Sequence, residues 1–284
     1  MRNKFNYTPE RVHNNLFYGA GLVAVLAFLA TRPGNWWSEF TADSLFFEFF
    51  VIKGFIYYFL LFWLTAIPYL LLDKYKFKPL YKYKIQTNSK DTYSKLSKKL
   101  PKTIATVLEN QFLGTLPAIM LVQWYLGSTG YDWTSEIPSI WLIALQLGLL
   151  LVCEEVAFFT VHYVMHTKFF YRKFHRIHHE YAESIGIATH YVHPVEHIFG
   201  NLLPVFLGLI LFQVHMVTFL IWVTIAVINA VHSHSGYNIP GMSYNLYHDH
   251  HHYNFKGNYG LGLFMDKIFK TEEVFNDIKE QDNE

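Results

Sequence analysis

The sequence predicts an all-α integral membrane protein: four to six membrane-embedded helical segments beneath a histidine-rich cap on the cytoplasmic side. Three observations carry that prediction. The 284 residues are 52% hydrophobic and 16% charged, whereas a soluble domain carries about 25% charge. The aromatic load is heavy, with 26 Phe, 20 Tyr and 7 Trp. Apolar runs also recur at lengths approaching the roughly 20 residues that a bilayer span needs. The net charge of +1 gives no argument for a nucleic-acid partner. Cys153 is the single cysteine, which excludes an internal disulfide and a thiolate cluster.

Residues 1–15 are polar. Leu16 to Ala30 is apolar and ends at a Thr-Arg-Pro-Gly break, and it reads as a membrane anchor. Gly54 to Leu72 is uncharged and interrupted only by Pro68, so it predicts a span. Asp73 to Lys102 then concentrates lysines at 74, 76, 78, 82, 84, 90, 95, 98, 99 and 102. A lysine-rich loop beside spans is normally cytoplasmic. Phe112 to Gly127 and Ile140 to Cys153 are the next two spans. The link between them, Ser128 to Ser139, lacks Lys and Arg and suits the opposite side. The chain is therefore expected to leave the cytoplasm near Phe112 and return near His162. Ile198 to Val231 is long enough for two short helices, out and back, with the bend at Gln213 and His215. The tail, Thr271 to Glu284, is acidic.

Every histidine except His13 lies between His162 and His252. In a helix His162 and His166 stand at i and i+4 and share a face. His175, His178 and His179 stand at i, i+3 and i+4, and His248, His251 and His252 repeat that spacing. Imidazole is the commonest neutral metal ligand. Eight such nitrogens exceed the needs of one ion, so the pattern predicts a dinuclear site. A structural zinc site is four-coordinate and usually includes cysteine, and the peptidase pattern HExxH is absent here. A histidine-rich metal pair at a membrane face points instead to redox chemistry with O₂. That favours iron over copper, with zinc able to occupy the site in a purified sample. Glu155 lies seven residues before His162 on the same helical face and is expected to orient a ligand imidazole by accepting its free N–H. Glu196 and Asp249 are further candidates for that role. His13 and His215 read as ordinary core or surface residues. A non-catalytic membrane metal-binding protein or carrier is the rival class, but it needs polar residues through its spans, and runs 54–72 and 140–153 hold few.

These clusters stand as HxxxH at His162–His166, HxxHH at His175–His179 and HxxHH at His248–His252. In that order they resemble the fatty acid hydroxylase/sterol desaturase superfamily of membrane di-iron oxygenases. His193-Pro-Val-Glu196 and a histidine shortly before the last box, His234, are two further marks of the superfamily, while the stretches Lys82-Tyr-Lys-Ile-Gln86, His175-Arg-Ile-His-His-Glu180, His234-Ser-Gly-Tyr-Asn-Ile-Pro240 and His248-Asp-His-His-His-Tyr-Asn-Phe255 look most like the C4-methylsterol oxidase branch. The resemblance covers roughly residues 75–271. It implies ten metal ligands: His162, His166, His175, His178, His179, His193, His234, His248, His251 and His252. His197, His232 and His250 are extra to the pattern. It further implies two iron ions, O₂ as co-substrate, and stepwise oxidation of the C4 methyl of a sterol precursor. Cytochrome b5 and its NAD(P)H reductase would supply electrons from outside, and the protein would sit in the endoplasmic reticulum of a eukaryote with the boxes facing the cytoplasm. A fatty acyl or alkyl-lipid hydroxylase, or a sterol desaturase, is the alternative within the same superfamily. On this reading residues 1–138 supply the N-terminal membrane helices and lysine-rich loop. Residues 139–284 supply the catalytic region, integrated with them as one domain. Tyr163, where the first box often carries Arg, and Met265-Asp266, in place of Trp-Asp, depart from the family pattern without touching the boxes.

Overall fold

The computed structural model describes residues 35–86, 92–239, 242, 245–262 and 264–273. The anchor expected over residues 16–30 and the tail beyond residue 273 lie outside the described residues. Five described helices are long and apolar enough to cross a membrane: Glu48–Tyr75, Lys98–Ser128, Ile140–Met165, Pro194–Phe212 and Met216–Ser233. Their outward side chains include Leu64, Leu113, Leu121, Trp124 and Trp141, all exposed. Apolar surface on that scale needs lipid rather than water around it. The protein is thus an all-α integral membrane protein. Lys84 and Tyr237 form an isolated antiparallel bridge, and no strand occurs among the described residues.

Helix α1 (Trp36–Thr41) is short. Helix α2 (Glu48–Tyr75) opens with a π turn at Glu48–Lys53 and ends where Lys76 turns left-handed at φ 48°. It outruns the expected 54–72 because Tyr75 and the charged residues next to it cost nothing at the rim. The short α3 (Lys78–Tyr81) follows. Helix α4 begins at Thr92–Glu109, passes through a π turn at Asn110–Thr115 and ends at Leu116–Ser128. Here the expectation of a loop up to Lys102 is corrected. From Thr92 onward the lysine-rich stretch is already helical, because its lysines lie on an amphipathic helix with Val107 buried.

Helix α5 (Ile140–Met165) is capped by the Ser139 hydroxyl, which accepts from the Leu142 amide at 3.3 Å. It continues well past the expected end at Cys153 and delivers His162 to the rim. Helix α6 (Lys168–Lys173) follows. The expected hairpin is present: α7 (Pro194–Phe212) and α8 (Met216–Ser233) are joined by Gln213–His215. Gln213 ends α7 in a left-handed conformation, φ 45°. His215 starts α8, its Nδ1 accepting from the Val217 amide at 3.1 Å. Helices α5 and α7 pack closely because Gly208 has no side chain. A Cβ there would stand 2.5 Å from a Leu150 methyl. Helix α9 (Leu246–Asn254) and α10 (Met265–Phe269) complete the fold.

Two apolar clusters fill the interior. One, around Trp37, Phe49, Trp133, Leu150, Leu209 and Phe219, lies toward the turn that joins α7 to α8. The other, around Phe62, Tyr69, Ile187, Tyr191, Val231 and Tyr237, lies beneath the histidines and is built from α2, α8 and the loop after His179. Elements from before and after residue 138 therefore share one interior.

Candidate metal centre

The histidines gather into two adjacent groups, each with ligand atoms within 4.8 Å of one another. His162, His166, His175, His179 and His251 form the first, and His178, His234, His248 and His252 the second. Each HxxHH box divides between them. His175 and His179 join the first group while His178 joins the second; His248 and His252 join the second while His251 joins the first. The first triplet departs from the shared helical face expected of it, while the second keeps that face on α9 and still serves both groups. His175–Glu180 is a 3₁₀ turn rather than an α-helix, and residues three apart in such a turn are offset by about 6 Å along its axis. His175 and His178 thus reach neighbouring groups, their rings 5.4 Å apart.

The far nitrogens decide what the near ones can do. The Nδ1 atoms of His162, His251 and His234 donate to the carbonyls of Tyr259, Gly257 and Ala230 at 2.7, 2.7 and 2.8 Å. A carbonyl only accepts, so the proton is on Nδ1 and Nε2 carries a bare lone pair. His175 Nδ1 lies 2.7 Å from Glu196 Oε1, with both side chains buried. Inward, Nε2 meets Nε2. His175 stands 2.9 Å from His166 and 2.9 Å from His179, and His166 stands 3.1 Å from His251. In the second group His248 stands 2.9 Å from His234 and 3.1 Å from His252, and His234 stands 3.2 Å from His178. Nitrogens this close need a proton or a cation between them. Two imidazoles at right angles around an ion, each about 2.1 Å from it, stand about 3.0 Å apart. The donor set therefore fits a metal ion in each group. Burial, reinforced by neighbouring imidazoles, holds His175, His178, His179, His248, His251 and His252 well below the ordinary histidine pKa. The same cause lowers His234 to about 4 and His166 to about 2. The rings are neutral at pH 7, which is the form that binds a metal.

His193 belongs to neither group. Its Nδ1 accepts from the Val195 amide at 3.2 Å, capping α7, and its ring packs on Phe174. Pro194 at the first helical position makes His193 the cap residue. Glu155 is buried but accepts from backbone amides, Leu261 at 2.8 Å, Phe264 at 3.1 Å and Met265 at 3.0 Å. Seven residues of helix put it about 10.5 Å before His162, too far to touch that ring. It instead holds the loop whose Tyr259 carbonyl does. Asp249 accepts from Gln86 Nε2 at 3.0 Å rather than from an imidazole, and burial pushes its carboxyl up to about 7. Glu196 alone of the three carboxylates meets a histidine of the groups. The carbonyls of Ala230, Gly257 and Tyr259 were not anticipated, since a backbone acceptor leaves no mark in a sequence. Gln86 was legible only as part of a family word. His190, His197 and His232 are buried apart from both groups.

A cavity of about 30 Å³ lies between the groups. His162 and His175 line it from one group, and His178, His234 and His248 from the other. Phe158, Val161, Met165 and Gly200 make its apolar wall, and Glu196 and Asn201 its remaining polar part.

Membrane helices whose rim holds two adjoining sets of neutral imidazoles define a class of membrane proteins with donor sets that could hold metal ions. A fatty acid hydroxylase family model matches residues 147–271, the stretch that carries every one of these histidines. Fatty acid hydroxylase domain-containing protein 2 of Homo sapiens is 31% identical over 198 residues, 70% of this chain and 59% of that protein. Methylsterol monooxygenase 1 of Gallus gallus is 30% identical over 212 residues, 71% of this chain and 70% of the relative. Methylsterol monooxygenase 2-1 of Arabidopsis thaliana is 29% identical over 252 residues, 80% of this chain and 90% of the relative. The chain belongs to the fatty acid hydroxylase family, and within it is similar to the methylsterol monooxygenases. It spans less than two thirds of the human protein's length. No solved structure matches it.

Proposed function

We propose that this protein is a non-haem di-iron monooxygenase that oxidises an unactivated C–H bond of a membrane lipid, namely the C4 methyl of a sterol precursor. The observation that carries the reading is the pair of facing Nε2 sets on either side of one cavity. His162, His166, His175, His179 and His251 would hold one iron; His178, His234, His248 and His252 would hold the other. Bound there, the two ions supply the activation of O₂ that no side chain can. The protein's own part is positional. Four backbone or carboxylate acceptors lock the rings of His162, His175, His234 and His251, so that their Nε2 atoms are turned inward before a metal arrives. The apolar wall of Phe158, Val161 and Met165 keeps water from the reacting carbon.

The similarity to methylsterol monooxygenases supports the C4 methyl as the position oxidised. The alternative, an acyl-chain hydroxylase, draws on the 31% identity to the fatty acid hydroxylase domain protein. Cytochrome b5 and its reductase serve as electron donors in this reading, and the endoplasmic reticulum as the membrane. Cytoplasmic orientation is supported by the lysine-rich stretch. Lys99 meets Glu180 of the histidine turn at 3.8 Å, and Gln86 binds Asp249, so the stretch and the histidines share one side of the membrane.

The test is metal content with turnover. The full-length protein is purified anaerobically, its metal counted, then supplied with O₂, reduced cytochrome b5 and a 4,4-dimethylsterol. Two irons per chain and an oxidised C4 methyl are expected. Two irons with hydroxylation of acyl lipids only would move the substrate to the alternative. Fewer than one metal in a folded preparation would overturn the dinuclear reading.

A further inference from the structure

Residues 82–86 follow α3 and form a strap that meets three later parts of the chain. Lys84 is buried, and its Nζ donates to Asp73 Oδ1 at 2.8 Å and to the Ser235 carbonyl at 3.3 Å. The Tyr237 hydroxyl donates to the same Asp73 oxygen at 2.9 Å, and its ring centroid lies 4.6 Å from the ammonium. The backbone closes the same contact. The Ile85 amide donates to the Gly236 carbonyl and the Asn238 amide to the Tyr83 carbonyl, both at 2.9 Å. Gly236 is left-handed at φ 71°, and a Cβ there would stand 2.9 Å from the Ser184 carbonyl and 3.1 Å from Lys84 Nζ. Gln86 Nε2 then donates to the Ala182 carbonyl and to Asp249 Oδ2, each at 3.0 Å. A buried ion pair adds little stability, because desolvation offsets the attraction. A slip of the strap would leave both charges buried and unpaired, so the pair holds strap and turn in one alignment.

The contacts fall beside the second histidine group. Ser235 follows His234, Asp249 follows His248, and Ala182 lies four residues after His178. Every element that supplies this group therefore meets the strap: the turn with His178, the end of α8 with His234, and α9 with His248 and His252. The first group also draws on two of these elements, through His175, His179 and His251. Its other members, His162 and His166, stand on α5, which Glu155 ties to the amides of Leu261, Phe264 and Met265. Metal bonds tolerate only about 0.2 Å, so a small slide of one element is enough to lose a ligand. We propose that Lys84 and Gln86 are positioning residues for the second group, setting the separation of His178, His234 and His248 so that this group closes on an ion. The inference rests on the reading of the two groups as sites for two ions, and assigns to the lysine-rich stretch the completion of one of them. Both side chains act through neighbours of the imidazoles, namely Ser235, Ala182 and Asp249.

The experiment is cobalt(II) titration of the full-length, metal-free protein in detergent, followed by visible absorption. His166→Ala and His252→Ala serve as references: each breaks one group, so their spectra identify the ion held by the other. Wild type is expected to take up two cobalt ions. Gln86→Leu should weaken the second-group ion by about ten- to a hundredfold and leave the first-group ion unchanged. Gln86→Lys, which again donates N–H bonds toward Asp249 and Ala182, should restore both. Lys84→Met combined with Asp73→Asn removes the ion pair without stranding a buried charge, keeps an acceptor for Tyr237, and should repeat the loss. Coupling is reciprocal. In wild type, therefore, the second-group ion should slow hydrogen exchange at the Ile85 and Asn238 amides, a readout that needs no strap variant to fold. Unchanged cobalt affinity in Gln86→Leu, or both ions weakened alike, would overturn the inference alone. Exchange at Ile85 and Asn238 that ignores the second-group ion would do the same. Fewer than two cobalt ions in folded wild type would remove the two-ion reading together with it.

Discussion

Two histidine populations share this interior. Nine rings face one another at the rim; a few residues away, His190 and His197 form a second buried pair, their centroids 4.9 Å apart. By burial and ring contact the two are alike. They differ in what their nitrogens meet. His190 Nδ1 is 3.0 Å from the Tyr58 hydroxyl and its ring stacks on Phe62 at 4.4 Å. His197 Nε2 is 2.8 Å from the Thr115 hydroxyl. A Cβ on Gly114 would stand 2.8 Å from the His197 ring, so α4 closes tightly over it. These rings tie helix to helix with ordinary donors and acceptors. The rim rings leave lone pairs opposed. A histidine count does not separate the two populations; the partner of Nε2 does.

That contrast can be broken by substitution. His251→Ala or His248→Ala should lower metal below two per chain and cut turnover by more than about a hundredfold, since even partners behind a ligand carry ten- to a hundredfold. Stripping metal with a chelator should lower stability by about 3–4 kcal/mol at saturating starting occupancy. Thermal unfolding with and without the chelator reads this directly, and no change would mean that the lone pairs were never bridged. Glu196→Gln keeps the shape beside His175 but weakens its hold. Metal titration should give an affinity loss of about ten- to a hundredfold. His197→Ala should behave in the opposite way, costing about 1–3 kcal/mol of stability through the Thr115 hydroxyl left behind with metal content intact. Loss of metal in that variant would erase the distinction drawn here. The smallest effect belongs to His193→Ala, which removes a helix cap at about 1 kcal/mol and should leave the metal count unchanged.

The sequence made the histidine boxes and the hairpin readable because both follow from spacing. His162 and His166 had to share a face once α5 ran that far, and Gln213–His215 was the polar break in an apolar run. What spacing could not reveal was division. His175–Glu180 is not the α-helix its spacing suggests, and even on the α-helical α9 the shared face of His248, His251 and His252 supplies both groups. Nor could it tell a cap from a ligand at His193, where Pro194 decides the geometry. Glu155 had the right face but the wrong distance. The helix start at Thr92 was hidden by lysines, which suggest a loop until Val107 and its neighbours are placed against a core.

The way the two boxes are divided also bears on how the protein matures. His166 is placed before the fourth and fifth described spans exist, yet its partner His251 lies 85 residues later in the chain. During synthesis the early boxes leave the ribosome and wait, imidazoles exposed, while α7 and α8 enter the bilayer. Since the last box contributes to both groups, neither can be completed before that box is made. A chain ended anywhere before His251 holds two partial sets rather than one whole one. On the proposed reading of the site, a chain can retain its metal only once that last box is in place.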